Sequence, residues 1–230
     1  MKQFAVIGLG KFGTKVALTL SEKGGQVLAV DEDIRKVEEI KDHVAQAVCL
    51  DSTDEDAMRA AGLEDVDAAI VAPGENLELS ILTTAILKRL GVPQIVARAV
   101  SDLHAQILLS VGASRIINVE EQMGEQVARS IIAPEIHEQF PLATGHSLAE
   151  VVPRPEFLGQ TIGKINFRQQ FGVNIIAIQK RNPVVAPDGR NAFEISINDL
   201  PKPTDVIEDN DILVVVGSDE NIERLARGES

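Results

Sequence analysis

The sequence predicts an α/β protein: a doubly wound parallel sheet with helices on both faces, followed by a small C-terminal α+β lobe. Two observations predict this fold. Short runs of Val, Ile and Ala alternate with amphipathic helical segments from Met1 to about Ala133, which is the pattern of repeated βαβ units. The stretch Gly8-x-Gly10-x-x-Gly13 lies between the first such run and the first helical segment, where this fold places a phosphate-binding loop.

Six strands are predicted in the first part of the chain, and they are QFAVIG, QVLAVD, AQAVCLD, VDAAIVAP, PQIVARAV and SRIINVE. The predicted helices between them are TKVALTLSEKGG, DIRKVEEIKD, ENLELSILTTAILKRLG and SDLHAQILLSVG, several of which end in glycine as helices commonly do. Right-handed crossovers between these strands predict a Rossmann-like sheet with the strand order 3-2-1-4-5-6.

A second, smaller unit is predicted after a further helix, GEQVARSIIAPEIHEQF, which Pro134 interrupts, and a connector, PLATGHS. Its strands are LAEVVP, VNIIAIQK and DILVVVG, with a short helix in IGKINFRQQFG and a turn-rich loop in RNPVVAPDGRN. The predicted organisation is a nucleotide-binding domain over residues 1–133, a connector over 134–146 and a C-terminal lobe over 147–230.

Composition is that of an ordinary globular protein. The 230 residues are 44% hydrophobic and 25% charged, which is enough to form a core without a structural metal or disulfide. A net charge of −13 without Lys/Arg runs argues against nucleic acid as a partner, because phosphate neutralisation needs clustered cations. With no membrane-spanning stretch or secretion signal, we expect a cytoplasmic protein, in which Cys49 is a buried apolar side chain.

The glycine loop predicts a nucleotide site. Gly8 permits a tight turn, Gly10 lets the backbone approach a phosphate, and Gly13 allows close packing of helix on strand. Asp31 ends the second strand, eighteen positions after Gly13, where a carboxylate accepts hydrogen bonds from both ribose hydroxyls and repels a 2′-phosphate. NADP is therefore disfavoured. The alternative is a glycine turn without a ligand.

Other polar residues follow the carboxyl ends of the predicted strands, where the same crevice would lie. Asp51 is a candidate adenosine contact. Ser52 is either a further site residue or the cap of a helix, because it has capping-box spacing with Glu55. Gly74 is either a ligand contact or a turn glycine that follows Pro73. Arg98 needs either a structural carboxylate or a ligand phosphate. Glu120, roughly 14 Å from the first strand, is either a solvated helix-start carboxylate or serves a metal or a second subunit's ligand.

The sequence resembles a known family in the stretches FAVIGLGKFG, VLAVDED, DSTDE, VAPGEN, VARAVSD and GASRIINVEEQMG. Together they are similar to the Ktr/Trk potassium-uptake regulatory subunits, which are RCK-domain proteins. The resemblance extends over nearly the whole chain and is more specific before Ser147 than after it. It implies a cytoplasmic ring, typically of eight subunits built from dimers, docked beneath a membrane potassium-translocating partner. In such rings ATP, ADP or NAD(H) binds the glycine loop and alters the ring's shape.

The resemblance also implies site residues. The family's nucleotide contacts fall on Gly8, Gly10, Lys11, Gly13, Asp31, Asp51, Gly74 and Arg98. The further candidate nucleotide-binding residues, which lie beside these, are Leu9, Phe12, Glu32, Ser52, Ala72, Glu75 and His104. For His104 the alternative is a histidine on the surface of a helix. Glu120 matches a family carboxylate implicated in binding Mg²⁺ or Ca²⁺ between subunits. Lys11 replaces the usual arginine of the family and Arg98 stands where many members have lysine, so the total charge facing phosphate is kept.

A second ligand is implied for the C-terminal lobe. INFRQQFGVNIIAI resembles the segment that lines a cyclic di-AMP site between two lobes in several members of the family. Arg168 would neutralise a phosphate, Asn174 would form a hydrogen bond with a base, and Ile175 would pack on the face of the adenine. The alternative is an ordinary helix-to-strand unit with Arg168 solvated and the isoleucines in the core.

An NAD-dependent oxidoreductase with a small C-terminal domain is the alternative function. The chain contains no tyrosine for a Tyr-x-x-x-Lys proton-transfer pair, and its four histidines have no evident carboxylate partner in the sequence. About 80 residues after Ser147 are few for a substrate domain. The sequence therefore favours a sensor over an enzyme.

Overall fold

Two units divide the chain in a computed structural model, Met1–Met123 and Gly124–Ser230. The structure describes residues 2–74, 76–143, 145–185 and 191–227. Each unit contains one sheet.

Six strands form the parallel sheet of the first unit. They are β1 (Gln3–Ile7), β2 (Gln26–Asp31), β3 (Gln46–Cys49), β4 (Ala68–Val71), β5 (Gln94–Arg98) and β6 (Arg115–Ile117). Every neighbouring pair is parallel, and the order is β3-β2-β1-β4-β5-β6. The predicted fold class and strand order are confirmed. The order reverses between β1 and β4, so a crevice opens at their carboxyl ends.

Helices connect these strands on both faces of the sheet. They are α1 (Lys11–Glu22), α2 (Ile34–Ile40), α3 (Glu55–Ala60), α4 (Leu77–Arg89) and α5 (Asp102–Val111), with 3₁₀ turns at Lys41–His43 and Leu63–Asp65. The next helix, α6 (Val119–Ile132), contains the division between the two units. Within the described residues, no helix combines the length and apolar character that crossing a membrane requires.

Alternating residues of the strands build a core on each face of this sheet. Ala5 and Ile7 of β1 join a buried cluster with Leu87 of α4. Val6, between them, joins a second cluster with Ala17 of α1. Because successive side chains of a strand point to opposite faces, this short strand anchors helices on both sides of the sheet.

The second unit is an antiparallel sheet packed with short helices. Its strands are β7 (Ile136–Ala143), β8 (His146–Val151), β9 (Asn174–Val185), β10 (Asn191–Asn198) and β11 (Asp211–Ser218), in the order β10-β9-β11-β8-β7. Its helices are a 3₁₀ turn at Pro155–Phe157, α7 (Ile162–Ile165), α8 (Phe167–Phe171) and α9 (Asp219–Arg227). The predicted α+β lobe is confirmed.

The predicted continuation of a helix beyond Pro134 is wrong. The helix α6 ends at Ile132, and β7 begins at Ile136 and pairs antiparallel with β8. Proline has no N–H to donate to a continuing helix and disfavours helical backbone in the residue before it. Most of the predicted connector, residues 134–146, is therefore strand.

The predicted loop RNPVVAPDGRN is also shorter than expected. The strand β9 extends to Val185, β10 begins at Asn191, and the two pair over eight residues of β10; residues 186–190 lie outside the described residues. Pro183 within β9 lowers the strand signal because it cannot donate to a ladder, a loss that an outer strand pair tolerates.

Cys49 is exposed, so the expectation of a buried side chain is wrong. It ends β3, which is the edge strand of the first sheet. An edge strand has a neighbour on one side only, and an apolar run does not distinguish an edge from a central strand.

Candidate functional site

The glycine loop joins β1 to α1 at the centre of the first sheet. Gly8 has a φ of +94°, and a Cβ there would lie 2.5 Å from the carbonyl oxygen of Ala72. A Cβ on Gly13 would overlap the carbonyl oxygen of Gly8. These two glycines are therefore required by the chain's own packing.

Gly10 differs from the other two glycines. Its backbone is extended, with φ −73° and ψ −177°, a conformation open to any residue. A Cβ at Gly10 would meet no described atom within 4 Å. Packing of this chain therefore does not require glycine here, and the open space leaves room for a ligand to approach the backbone.

The first turn of α1 begins directly after Gly10. Thr14 donates its N–H to the carbonyl of Gly10 at 2.9 Å, as the first bond of the helix, and its hydroxyl to the carbonyl of Leu9 at 3.1 Å. The N–H groups of residues 11–13 precede that bond and have no helical acceptor. A twelve-residue helix thus presents its N-terminal donors beside the loop, an arrangement suited to phosphate.

Asp31 lies opposite this loop at the end of β2 and is 7% exposed. Its Oδ2 accepts from the backbone N–H of Leu9 at 2.6 Å, and its Oδ1 accepts from that of Asp33 at 2.9 Å. Lys36 donates its ammonium to both oxygens at 3.2 Å. The carboxylate therefore ties the glycine loop to β2 and to the first turn of α2.

A cavity, here called the glycine-loop cavity, lies between these elements. Of the predicted site residues, it is lined by Gly8, Gly10, Asp31, Glu32, Ser52, Ala72 and Gly74. Its other lining residues are Ile7, Val30, Lys36, Leu50, Pro73 and Leu79. The cavity thus joins the ends of β1, β2 and β4, which is where the strand order reverses.

Three further predicted residues near the loop, Leu9, Lys11 and Phe12, do not line this cavity. Leu9 is 4% exposed and packs with the helices α1 and α2. Lys11, the first residue of α1, is exposed, and Phe12 beside it is half-buried. Glu75 lies outside the described residues.

Asp51 and Ser52 follow β3 with different surroundings. Asp51 accepts from the backbone N–H and the hydroxyl of Thr53 at 2.8 and 2.7 Å, and these bonds lower the pKa of its carboxyl. Ser52 is buried and its hydroxyl shares a 2.7 Å hydrogen bond with that of Thr83. Asp54, not Ser52, caps α3 by accepting from Ala57, so the capping-box alternative for Ser52 is wrong.

Arg98 and Glu120 form an ion pair. The side chain of Arg98 is 16% exposed, whereas that of Glu120 is 62% exposed. The backbone N–H of Glu120 and the Arg98 guanidinium hold the pKa of the Glu120 carboxyl below its usual range. The Nε of Arg98 is buried without a hydrogen-bond partner among the described residues, so one donor of the guanidinium is unused in this structure.

Leu77 and Val100 line a second pocket with this pair. Within the described residues, no group of three or more His, Cys, Asp or Glu side chains is arranged to hold a metal ion. Glu120 is therefore not part of such a group within the described residues.

His104 belongs to α5, contacts Ser80 of α4 and is 3% exposed, so it is not a surface residue of its helix. The N–H of Val100 donates to Nδ1 at 3.4 Å, and the Ser80 hydroxyl donates to the carbonyl of Leu77. The Nε2–H of His104 then donates to the Ser80 oxygen at 2.7 Å. Burial lowers the pKa of His104, so these bonds hold a neutral imidazole that does not line the glycine-loop cavity.

In the second unit the structure brings two of the three predicted second-ligand residues together. The Nε of Arg168, exposed on α8, donates to Oδ1 of Asn174 at 2.7 Å. Ile175 is partly buried against the core of the lobe. The alternative of Ile175 as a core residue therefore has direct support.

Lys36 is the charged residue among the cavity-lining residues that sequence reasoning missed. It lies in the first turn of α2, which begins at Ile34, and helical side chains point back toward the N-terminus. The sequence did contain a signal for this role, because Lys36 lies in the first turn of the helix that follows Asp31, the acidic residue at the end of β2.

Two family models match the chain, the TrkA-N domain over residues 4–119 and the TrkA-C domain over residues 147–227. In Bacillus subtilis (strain 168), Ktr system potassium uptake protein C is 38% identical over 98% of this chain and 96% of that protein. Ktr system potassium uptake protein A of the same organism is 32% identical over 97% of this chain and 95% of that protein.

The fold is also found among solved structures. The GsuK channel aligns with all of this chain at a TM-score of 0.68 and 15% identity. This chain covers 40% of the length of that protein. At this identity the likeness supports the fold alone.

Proposed function

The chain belongs to the family of Ktr potassium-uptake proteins, with their TrkA-N and TrkA-C domains, and from this we propose that it is the nucleotide-sensing regulatory subunit of a potassium-uptake system. It would act in the cytoplasm, beneath a membrane potassium-translocating subunit, as dimers assembled into an octameric ring. The nucleotide is a signal in this proposal, not a reagent. The observation that carries it is the open space at Gly10 beside the N-terminus of α1 and Asp31.

ATP, ADP or NAD(H) fits the groups present in the glycine-loop cavity. The first-turn N–H groups of α1 would hold the phosphates, and Asp31 would accept the ribose hydroxyls. Leu50 and Leu79 give the cavity apolar walls, as a base requires. For the nucleotide to control transport, it must contact two shapes of the ring differently, because equal affinity for both shapes would shift nothing.

Lys11 and Arg98 would face the distal phosphates. Lys11 is exposed at the start of α1, where a flexible ammonium can reach a phosphate as a point charge. Arg98 retains a buried Nε without a partner among the described residues, which a phosphate oxygen would satisfy. Glu120 would then be released from Arg98 and join a carboxylate of a second copy in holding Mg²⁺ or Ca²⁺.

Titration calorimetry of the purified full-length chain tests nucleotide binding. We expect saturable binding of ATP, ADP and NADH, and weaker binding of AMP because it lacks the distal phosphates. At a hundred times its Kd, each ligand should stabilise the fold by about 2.7 kcal/mol in thermal denaturation. Mass measurement with and without Mg²⁺ tests the ring and the role of the divalent ion.

Potassium flux into liposomes that contain the membrane subunit tests regulation. Flux should depend on nucleotide only when this chain is present, and the membrane subunit alone is the control. Binding without any change in flux would contradict the regulatory role. Consumption of NADH with a 2-oxo acid would support the oxidoreductase alternative instead.

We further propose that the C-terminal lobe binds cyclic di-AMP at an interface between two copies. The contact between Arg168 and Asn174 supports this, because it sets a cation beside an amide on one surface, as a phosphate next to a base requires. A two-fold interface would match the symmetry of the ligand.

Arg168→Ala in the full-length chain should weaken cyclic di-AMP binding by roughly tenfold or more, through loss of a charge-assisted phosphate contact. Equilibrium dialysis with labelled ligand measures it. Lys164→Ala removes an exposed cation of the neighbouring helix α7 and is the matched control. Equal affinity of the wild type and both variants would mean that Arg168 is an ordinary solvated side chain.

A further inference from the structure

The acceptor positions of Asp31 are all in use. A carboxylate offers about four of them, two on each oxygen. The N–H of Leu9 and the ammonium of Lys36 take those of Oδ2, and the N–H of Asp33 and the same ammonium take those of Oδ1. A ribose diol needs two acceptor positions, so one of these donors must leave the Asp31 carboxylate before the diol of a nucleotide can bind to it.

Lys36 is the donor that can leave. The other two donors are backbone groups, fixed by the glycine loop after β1 and by the turn that begins α2. The Lys36 side chain is 43% exposed, against 6% for Asp31, and its flexible stem lets water solvate the ammonium once it leaves the carboxylate. The diol would therefore displace the ammonium of Lys36 and leave the backbone contacts intact.

The same ammonium changes the charge that a ligand meets at the ribose. Asp31 alone would repel a 2′-phosphate. The Asp31–Lys36 ion pair has no net charge, and Lys36, its cationic member, lines the cavity. A 2′-phosphate could take the ammonium as its own partner. The expectation from the sequence that NADP is disfavoured rests on Asp31 without this lysine.

We propose that Lys36 is the specificity-determining residue at the ribose end of the glycine-loop cavity. It competes with a free ribose 2′,3′-diol for Asp31, and it accommodates a ribose 2′-phosphate. The inference rests on the proposed nucleotide site and names the ligand class that the site admits, adenine nucleotides with or without a 2′-phosphate.

Titration calorimetry with two pairs of ligands tests this, NADH against NADPH and AMP against adenosine 2′,5′-bisphosphate. In Lys36→Met, NADH and AMP should bind roughly two- to fivefold more tightly, because their competitor is gone. The 2′-phosphorylated member of each pair should bind roughly tenfold more weakly, because its counter-charge is gone. A purely structural role would shift both members of a pair in the same direction.

Lys41→Met is the matched control. Lys41 follows α2, pairs with Glu38 and does not line the cavity, so both affinity ratios should equal those of the wild type. An unchanged ratio in Lys36→Met would overturn the inference, as would a wild-type chain that binds NADH without measurable binding of NADPH. Failure of the wild type to bind any of the four ligands would overturn the proposed site itself, and this inference with it.

Discussion

Asp31→Asn is expected to weaken binding of ATP, ADP and NADH by roughly 10- to 100-fold, the range for losing charge-assisted hydrogen bonds. The substitution exchanges one acceptor oxygen for an amide donor and removes the charge. Since the N–H groups of Leu9 and Asp33 point at opposite oxygens, one of them must then face an NH₂ group. We therefore also expect a loss of about 1–3 kcal/mol in the free energy of unfolding.

Titration calorimetry and chemical denaturation of the same preparation separate the two effects. Asp33→Asn is the matched control, because Asp33 also carries a carboxylate near β2 but caps α2 by accepting from Arg35, outside the cavity. Asparagine caps helices as well as aspartate does, so binding should stay unchanged. Wild-type affinity in a folded Asp31→Asn chain would remove Asp31 from the site.

The first sheet was predictable because its signals are local. Buried parallel strands consist of continuous apolar runs, and the glycine loop fixes where β1 ends and α1 begins. The second sheet was predicted less completely, because β7 contains His137, Glu138 and Gln139. These residues break the apolar pattern, and their strand depends on pairing with β8, a contact that no local sequence signal reports.

The candidate site shows the same division. Gly8, Asp31 and Gly74 lie at strand ends and line the cavity as the strand order requires. The pairing of Arg98 with Glu120 joins residues 22 positions apart, and sequence reasoning left the carboxylate or phosphate partner of Arg98 open. Lys36 was missed because a helical lysine is usually solvated, and its contact with Asp31 depends on the angle at which α2 leaves the sheet.

Gly13→Ala is expected to lower the stability of the fold, whereas Gly10→Ala is expected to lower nucleotide affinity, although both add one methyl group to the same loop. The Cβ at position 13 would overlap the carbonyl oxygen of Gly8, which is backbone in the tight turn and cannot rotate away. We expect Gly13→Ala to lose at least about 3 kcal/mol of unfolding free energy, at the upper end of overpacking costs. Chemical denaturation measures this loss. Wild-type stability in Gly13→Ala would contradict the prediction and would mean that the turn at Gly8 shifts to admit the methyl group.

Gly10→Ala should fold and lose its ligand. The new Cβ meets no described atom within 4 Å and the backbone there suits any residue, so stability should change by less than about 1 kcal/mol, the difference between glycine and alanine at a helix N-cap. The methyl group would stand where a phosphate must approach the first turn of α1, and we expect ATP and NADH affinity to fall by roughly 100-fold or more. Gly124→Ala within α6, which also has open space around its Cβ, is the control and should bind as the wild type does. Full affinity in Gly10→Ala would show that phosphate binds elsewhere, because a ligand held by the N-terminus of α1 cannot share that space with a side chain.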